Sequence, residues 1–293
     1  MELSLQLIAR SHHARPELLV AAAQAAEATG LSCMWFGDHV AYPVEYTTRY
    51  PGHPSGRLPF DLAAPQLDTL LALTWVAAAT TRLRLGTAVL VLPMRNPVLL
   101  AKELATLDVL SNGRVRLGVG LGWLREEFES CQVGAVFGQR GRRTDEYVRA
   151  MEALWTQEEA EFEGEFVSFP PTYCSPKPVQ PDGPPIWIGG YGPAAHERVA
   201  RYGAGWITGG RVTIEEMTVA RTAIARRAEQ LGRDPDAIGV VAQGVRADDP
   251  VALAARLEGL ADAGVDEASV LLEGRTPEEA QAFVHSLERY VHH

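Results

Sequence analysis

Short runs rich in β-forming residues alternate with longer segments of helical period along the whole chain, and this alternation restricts the fold more than any other feature. The strand candidates are residues 4–9, 32–37, 84–91, 115–119, 186–189, 205–208, 238–242 and 268–272, most of them apolar on both faces. The pattern predicts helices over 16–29, 66–78, 97–110, 142–155, 194–202, 214–231, 250–263 and 277–290. Strands buried on both sides and separated by helices are parallel strands with crossover connections. Eight such units within 293 residues favour an α/β fold of the closed (β/α)8 TIM-barrel type over an open sheet. Stop and start signals agree: glycines follow two helices at Gly30 and Gly264, and Thr276-Pro277-Glu278-Glu279 supplies an N-cap, a first-turn proline and early carboxylates.

Two insertions break the rhythm. Residues 39–65, rich in Tyr, Pro, Gly and Arg, leave the carboxyl end of the second strand, where they would cover a substrate. Residues 157–185 contain the hairpin-like Phe162-Glu163-Gly164-Glu165-Phe166 and are expected to wrap the outside. No repeat or flexible linker marks a boundary, so 1–293 is read as one barrel domain. Its end, 291–293, is set aside as a tail or tag remnant ending in His292-His293.

A net charge of −10 without a basic patch argues against nucleic acid as a partner. No apolar run reaches the roughly 20 residues of a spanning helix, and the amino terminus reads as a strand, which makes a cytoplasmic protein the expectation. Cys33, Cys131 and Cys174 are too widely spaced for a disulfide framework and are expected to be reduced thiols. His12, His13, His53, His196 and His285 lack ligand spacing, so no metal site is expected. Nucleophile elbows, Walker loops and His-Glu-x-x-His are absent.

Four motifs carry chemistry. Trp35-Phe36-Gly37-Asp38-His39 ends an apolar strand in an acid and an imidazole, at the end of the barrel where reactions occur. A free imidazole exchanges its proton near neutrality, and a neighbouring carboxylate or carbonyl would fix the tautomer of His39; otherwise Asp38 caps a turn and His39 packs. Gly86-Thr87-Ala88-Val89-Leu90-Val91 is either a strand thinned for a flat ring or a closely packed one. Gly118-Val119-Gly120-Leu121-Gly122-Trp123 lacks the dinucleotide spacing and fits a strand end where backbone meets a ligand. Ile188-Gly189-Gly190-Tyr191-Gly192-Pro193 is a glycine turn opening a helix, suited to a phosphate or to a tight turn alone.

In this order the motifs resemble the luciferase-like monooxygenase superfamily, and within it the F420-dependent oxidoreductase branch. Leu107-Asp108-Val109-Leu110-Ser111-Asn112-Gly113-Arg114 and Glu126-Glu127-Phe128 add to the likeness, which spans nearly the whole chain. The resemblance implies a luciferase-like barrel with insertions and a ring lying against the third strand. It also implies a non-proline cis peptide at Ala88-Val89, and phosphate at the glycine turn. The cofactor residues it implies are Asp38, Ala88, Val89, Gly120, Gly122, Gly189, Gly190, Tyr191 and Gly192, with His39 and Asp38 at the reactive edge. Tyr42, Tyr46 and Trp123 are expected around the substrate, beside Tyr50 and Phe60. One departure stands out: sugar-phosphate dehydrogenases of the family carry a glutamate where this chain has Trp123.

The implied activity is hydride transfer between F420 and a small organic metabolite. The alternative is a monooxygenase using reduced FMN and oxygen, served by a separate reductase; a third reading is a non-catalytic flavin-binding barrel. A homodimer through helices 66–78 and 97–110 is expected.

Overall fold

The computed structural model describes residues 1–246 and 249–291; His292 and His293 lie outside the described residues. Its parallel strands run β1 (Glu2–Leu7), β2 (Cys33–Phe36), β3 (Arg84–Thr87), β4 (Leu90–Val91) and β5 (Val115–Gly120). An antiparallel hairpin, β6 (Ala160–Glu163) and β7 (Ser168–Thr172), stands apart before β8 (Ile186–Gly189), β9 (Gly205–Ile207), β10 (Gly239–Val245) and β11 (Glu267–Leu271). The sheet order is β3-β2-β1-β11-β10-β9-β8-β5-β4, and a further β3–β5 pairing closes the ring. Since β3 and β4 both pair with β5, they share one position, and the barrel is the predicted closed eight-stranded parallel type.

The predicted third strand, 84–91, is broken at Thr87, with a cis peptide between Ala88 and Val89 as the resemblance implied. Helix α1 (Pro16–Thr29) ends on left-handed Gly30, whose N–H returns to Ala26 and Glu27 carbonyls. Helix α2 (Thr69–Ala79) starts three residues later than expected, because the Asp68 side chain caps Leu70 and Leu71 while Gln66 bridges Arg10. Helix α3 (Pro97–Ser111) is capped by Asn96. The stretch after β5 holds α4 (Arg125–Ser130), absent from the sequence reading, and α5 (Arg140–Thr156), which begins two residues early. Then follow α6 (Pro193–Tyr202), α7 (Ile214–Gln230), α8 (Pro250–Asp262) and α9 (Pro277–Ser286). The hairpin docks on α5, where Glu146 accepts the N–H groups of residues 165–167, as the outer position expected for 157–185 requires.

Three apolar clusters form among the described residues: a minor one of Val91, Met94, Phe128 and Phe137, and two that build the barrel. The larger lies between strands and helices and takes Leu5, Leu7, Met34, Phe36, Leu117, Ile188 and Val240. The smaller lies inside the barrel and joins Cys33, Trp35, Ala88, Trp187, Ile207 and Val241. The expectation of strands apolar on both faces fails on that inner side. Gln6, Arg116, Gln243, Glu267 and Ser269 alternate with the outward apolar residues, and a barrel interior that is not filled by branched side chains has room for a polar site. No helix among the described residues is long and apolar enough to cross a membrane. Leu71 and Trp75 on α2 and Leu99 and Leu110 on α3, the helices expected to pair, are exposed.

Candidate active site

A cavity of about 480 Å³ opens at the carboxyl ends of the strands. Its wall contains Asp38, His39, Ala88, Val89, Gly120, Gly122, Trp123, Gly189, Gly190 and Tyr191, ten of the predicted site residues. Ile8, Val91, Ile188 and Ile207 add aliphatic surface, and Gln6, Thr208 and Gln243 add polar atoms from the inward faces of β1 and β10 and the end of β9. Tyr50, Pro51 and Gly52 also line it, so the 39–65 insertion does cover this mouth.

Four expected residues stand outside the wall, among them Phe60, which packs on Tyr42 at 5.7 Å. Tyr42 packs behind His39 at a ring separation of 4.6 Å, and its hydroxyl donates to Gln66 Oε1 at 3.0 Å. Burial pushes the Tyr42 phenol well above its ordinary range, which suits a packing role. Tyr46 is buried, its hydroxyl accepting from the Leu58 N–H at 2.9 Å, and it meets the edge of Trp123. Gly192 caps α6 from a neighbouring hollow. Both tyrosines therefore act as support for His39 and Trp123 within a folded insertion.

His39 does not meet Asp38 but Glu127. Asp38 has no exposed side-chain surface: Oδ1 accepts from Arg95 at 2.8 Å and Oδ2 from the Val91 N–H at 3.0 Å. It ties the end of β2 to the turn after β4. The carboxylate on the imidazole is that of Glu127, whose Oε2 lies 2.8 Å from His39 Nδ1. Glu127 Oε1 accepts the Val40 and Ala41 N–H groups at 2.7 and 3.3 Å, and its side chain is 3% exposed. In the sequence, Glu126-Glu127-Phe128 entered only as part of the family likeness, with no role given to Glu127. The clue to Glu127 was Phe128, whose burial beside Phe137 turns one face of this short helix inward.

The glycines have a packing reason within the protein itself. A Cβ on Gly118 would lie 1.8 Å from the Thr87 carbonyl oxygen; on Gly120 or Gly189 it would lie 2.3 or 2.6 Å from the Val89 methyls. They admit the β3–β4 bulge, and Gln243 Nε2 donates to the Ala88 carbonyl at 2.9 Å from the other side. In the Gly189-Gly190-Tyr191-Gly192 turn, φ values of 125° at Gly190 and 77° at Gly192 do demand glycine. Of the first-turn amides of α6, Pro193 has none, and those of Ala195 and His196 both turn to the Gly192 carbonyl at 3.1 Å. A helix-terminal anion cradle is thus reduced to the turn and Ala194.

Two buried polar atoms in this wall have no partner among the described residues. Gln6 Oε1 is one, at the barrel's centre. The other is Thr144 Oγ1 on a fully buried residue, in the corner formed with Ala194, Ala195 and Arg198. Buried polar atoms are seldom left unpaired, so each is open to a water or to a ligand atom. A flat, hydrogen-bonding ring with an anionic tail fits the combination of aliphatic wall, central acceptor and hydroxyl-lined corner.

The family profile described as luciferase-like monooxygenase matches residues 3–287. The chain belongs to that family. The Mycobacterium tuberculosis protein Rv0953c is 42% identical over 198 residues, covering 67% of this chain and 69% of its own. An F420-dependent glucose-6-phosphate dehydrogenase from Kineococcus radiotolerans is 35% identical over 62% of this chain and 49% of its own. The oxygenase component of a flavin-dependent trigonelline monooxygenase from Acinetobacter baylyi is 32% identical over 61% and 44%. In fold, a coenzyme F420-dependent tetrahydromethanopterin reductase from Methanopyrus kandleri superposes with a TM-score of 0.76 at 16% identity, over 99% of this chain and 98% of that one. This luciferase-like barrel thus has both F420-dependent and flavin-dependent neighbours.

Proposed function

We propose that this luciferase-like protein is an F420-dependent oxidoreductase acting on a small organic metabolite in the cavity, with His39 moving the proton that accompanies the redox step. The observation that carries the reading is the coincidence, in one wall, of an imidazole, an aliphatic surface at Ala88-Val89 and the two unpartnered polar atoms of Gln6 and Thr144. A deazaflavin supplies two-electron hydride chemistry when bound. Val89 and Ile188 would support its ring, Gln6 Oε1 would accept an N–H from it, and Thr144 with the Gly190–Gly192 turn would hold its phosphate. His39 and Trp123 would border the substrate. Tyr50 and Pro51, leaning over the mouth, would exclude water and so strengthen every polar contact inside.

The relative that is an oxygenase component supports one further reading, a reduced-FMN monooxygenase served by a separate reductase. Titration of the protein with F420 and with FMN side by side, followed by tryptophan quenching, separates the two. Tight F420 binding with weak FMN binding is expected, and the reverse result would replace the proposal by the oxygenase reading. His39→Gln should leave that affinity unchanged and lower turnover about 10²- to 10⁴-fold, the range of general acid-base contributions.

A further inference from the structure

The two nitrogens of His39 meet different surroundings. Nδ1 is 2.8 Å from Glu127 Oε2, while Nε2 has no hydrogen-bond partner among the described residues and belongs to a ring in the cavity wall. The ring packs on Tyr42, at a centroid distance of 4.6 Å, and lies 6.3 Å from Trp123 at a steep angle. Glu127 Oε1 accepts two backbone N–H groups, those of Val40 and Ala41, and Oε2 faces His39 Nδ1. An ionised carboxylate has no hydrogen to give, so the hydrogen between Oε2 and the imidazole belongs on Nδ1.

We propose that Glu127 is the positioning residue of this site: it keeps the proton on His39 Nδ1, so that Nε2 is the nitrogen that gains and loses a proton toward the substrate. This rests on the reading of His39 as the proton carrier and adds direction to it. The transfer is a proton exchanged between Nε2 and an oxygen or nitrogen of the substrate. Nδ1 stays protonated throughout, and the imidazolium formed on the way is stabilised by the Glu127 carboxylate 2.8 Å behind it. The preferred substrate is accordingly one whose redox change makes or removes an O–H or N–H, an alcohol–ketone or amine–imine pair. A carbon–carbon double bond polarised by nothing that can take a proton from Nε2 does not fit. Because Oε1 of the same carboxylate holds Val40 and Ala41, Glu127 also sets where the 39–65 insertion leaves the barrel.

The proposal is tested on the whole protein labelled with ¹⁵N-histidine, at a pH well above the ordinary imidazole value of about 6.5. The His39 signals are identified by their loss in His39→Gln. Long-range ¹H–¹⁵N spectra should show the neutral ring protonated at Nδ1. In Glu127→Gln the side-chain carbonyl can still accept Val40 and Ala41, but its NH2 faces Nδ1, so the proton should move to Nε2 and turnover should fall about 10²- to 10⁴-fold, the upper end being that known for a wrong-tautomer substitution in a serine protease. A wild-type ring protonated at Nε2, or a tautomer unchanged in Glu127→Gln, overturns the proposal, and the first of these needs no variant to fold. A flipped tautomer with unchanged turnover upholds the positioning by Glu127 and removes His39 from the reaction, so failure of the functional reading is told apart.

Discussion

The two ends of the barrel interior use the same kinds of residue to opposite effect. At the amino end, Glu267 is buried between Arg116 Nη1 at 2.6 Å and the Trp35 indole N–H at 2.5 Å, and Arg116 lies over the ring of Trp187. Gly86 and Gly205 make way for those indoles: a Cβ on either would lie 2.1 Å from a ring carbon. There the space that glycine vacates is filled by side chain. At the carboxyl end Gly118, Gly120 and Gly189 make way for the β3–β4 bulge, and a cavity remains above it. Its buried carboxylate, Glu127, faces an imidazole with one nitrogen open, whereas Glu267 faces donors that are all enclosed. A buried charge with every partner satisfied seals a barrel; one whose partner keeps a free atom makes a site.

The sharpest test of that division is at the sealed end. Glu267→Gln leaves Arg116, 13% exposed at its side chain, without its counter-ion. Breaking a buried pair costs about 3–5 kcal/mol. A fall in Tm on the order of 10 °C is therefore expected by thermal unfolding, with cofactor affinity at the far end unchanged. Lost affinity with an unchanged Tm would show that the two ends are not separable.

A smaller effect is expected at the open end. In Gly120→Ala the added methyl collides with Val89, and overpacking of this kind costs about 1–3 kcal/mol. The strain falls on the wall proposed for the ring, so cofactor affinity should drop roughly tenfold, which corresponds to about 1.4 kcal/mol. Val89→Ala removes the methyl in the way, and the double variant should recover most of the loss in a mutant cycle. If Gly120→Ala binds normally, the glycines are not there for the bulge.

How far the sequence could be read follows from the same contrast. All eight strand positions were visible because each is a short apolar run between helices with local stop signals, such as Gly30 and the Thr276 cap. His39 and the glycine turn were visible because strand ends are functional places in barrels. The break in the third strand was not visible from residue types, since Thr87 to Val91 holds no glycine, proline or charged residue; only the family likeness pointed to it. Glu127 was hidden because its neighbour Glu126 is chemically identical, and the partner that distinguishes it is 88 residues away. The glycines were recognised as close approaches, but what approaches them is Val89, on a strand adjacent only in space. Tyr42 and Tyr46 were expected to face substrate as aromatics of a loop at the barrel mouth. It folds back instead, with Arg10 and Arg57 stacked on their rings.

The smallest effect belongs to the rim, where Glu126 anchors the insertion from outside. Its Oε1 accepts the Thr47 and Thr48 N–H groups at 2.7 and 3.1 Å and the Thr47 hydroxyl at 2.9 Å. Burial works to raise this carboxyl, but the hydrogen bonds from Thr47 and Thr48 outweigh it and hold it at about 2, below its ordinary 4.5. A carboxyl lowered on folding stabilises fully above its unfolded value and loses that contribution as pH falls through the folded one. The anchor should thus be intact from neutrality down to 4.5 and fade between 4.5 and about 2. Near-ultraviolet circular dichroism reports it, because Trp123 packs against Tyr46 and Tyr50 of the insertion. Glu126→Gln should flatten that acid limb at a neutral-pH cost on the order of 1 kcal/mol or less. A change in the Trp123 signal between pH 7 and 5 in the wild-type protein would instead assign control of the insertion to a group that titrates there, and the rim would join the open end of the barrel as a proton-responsive region.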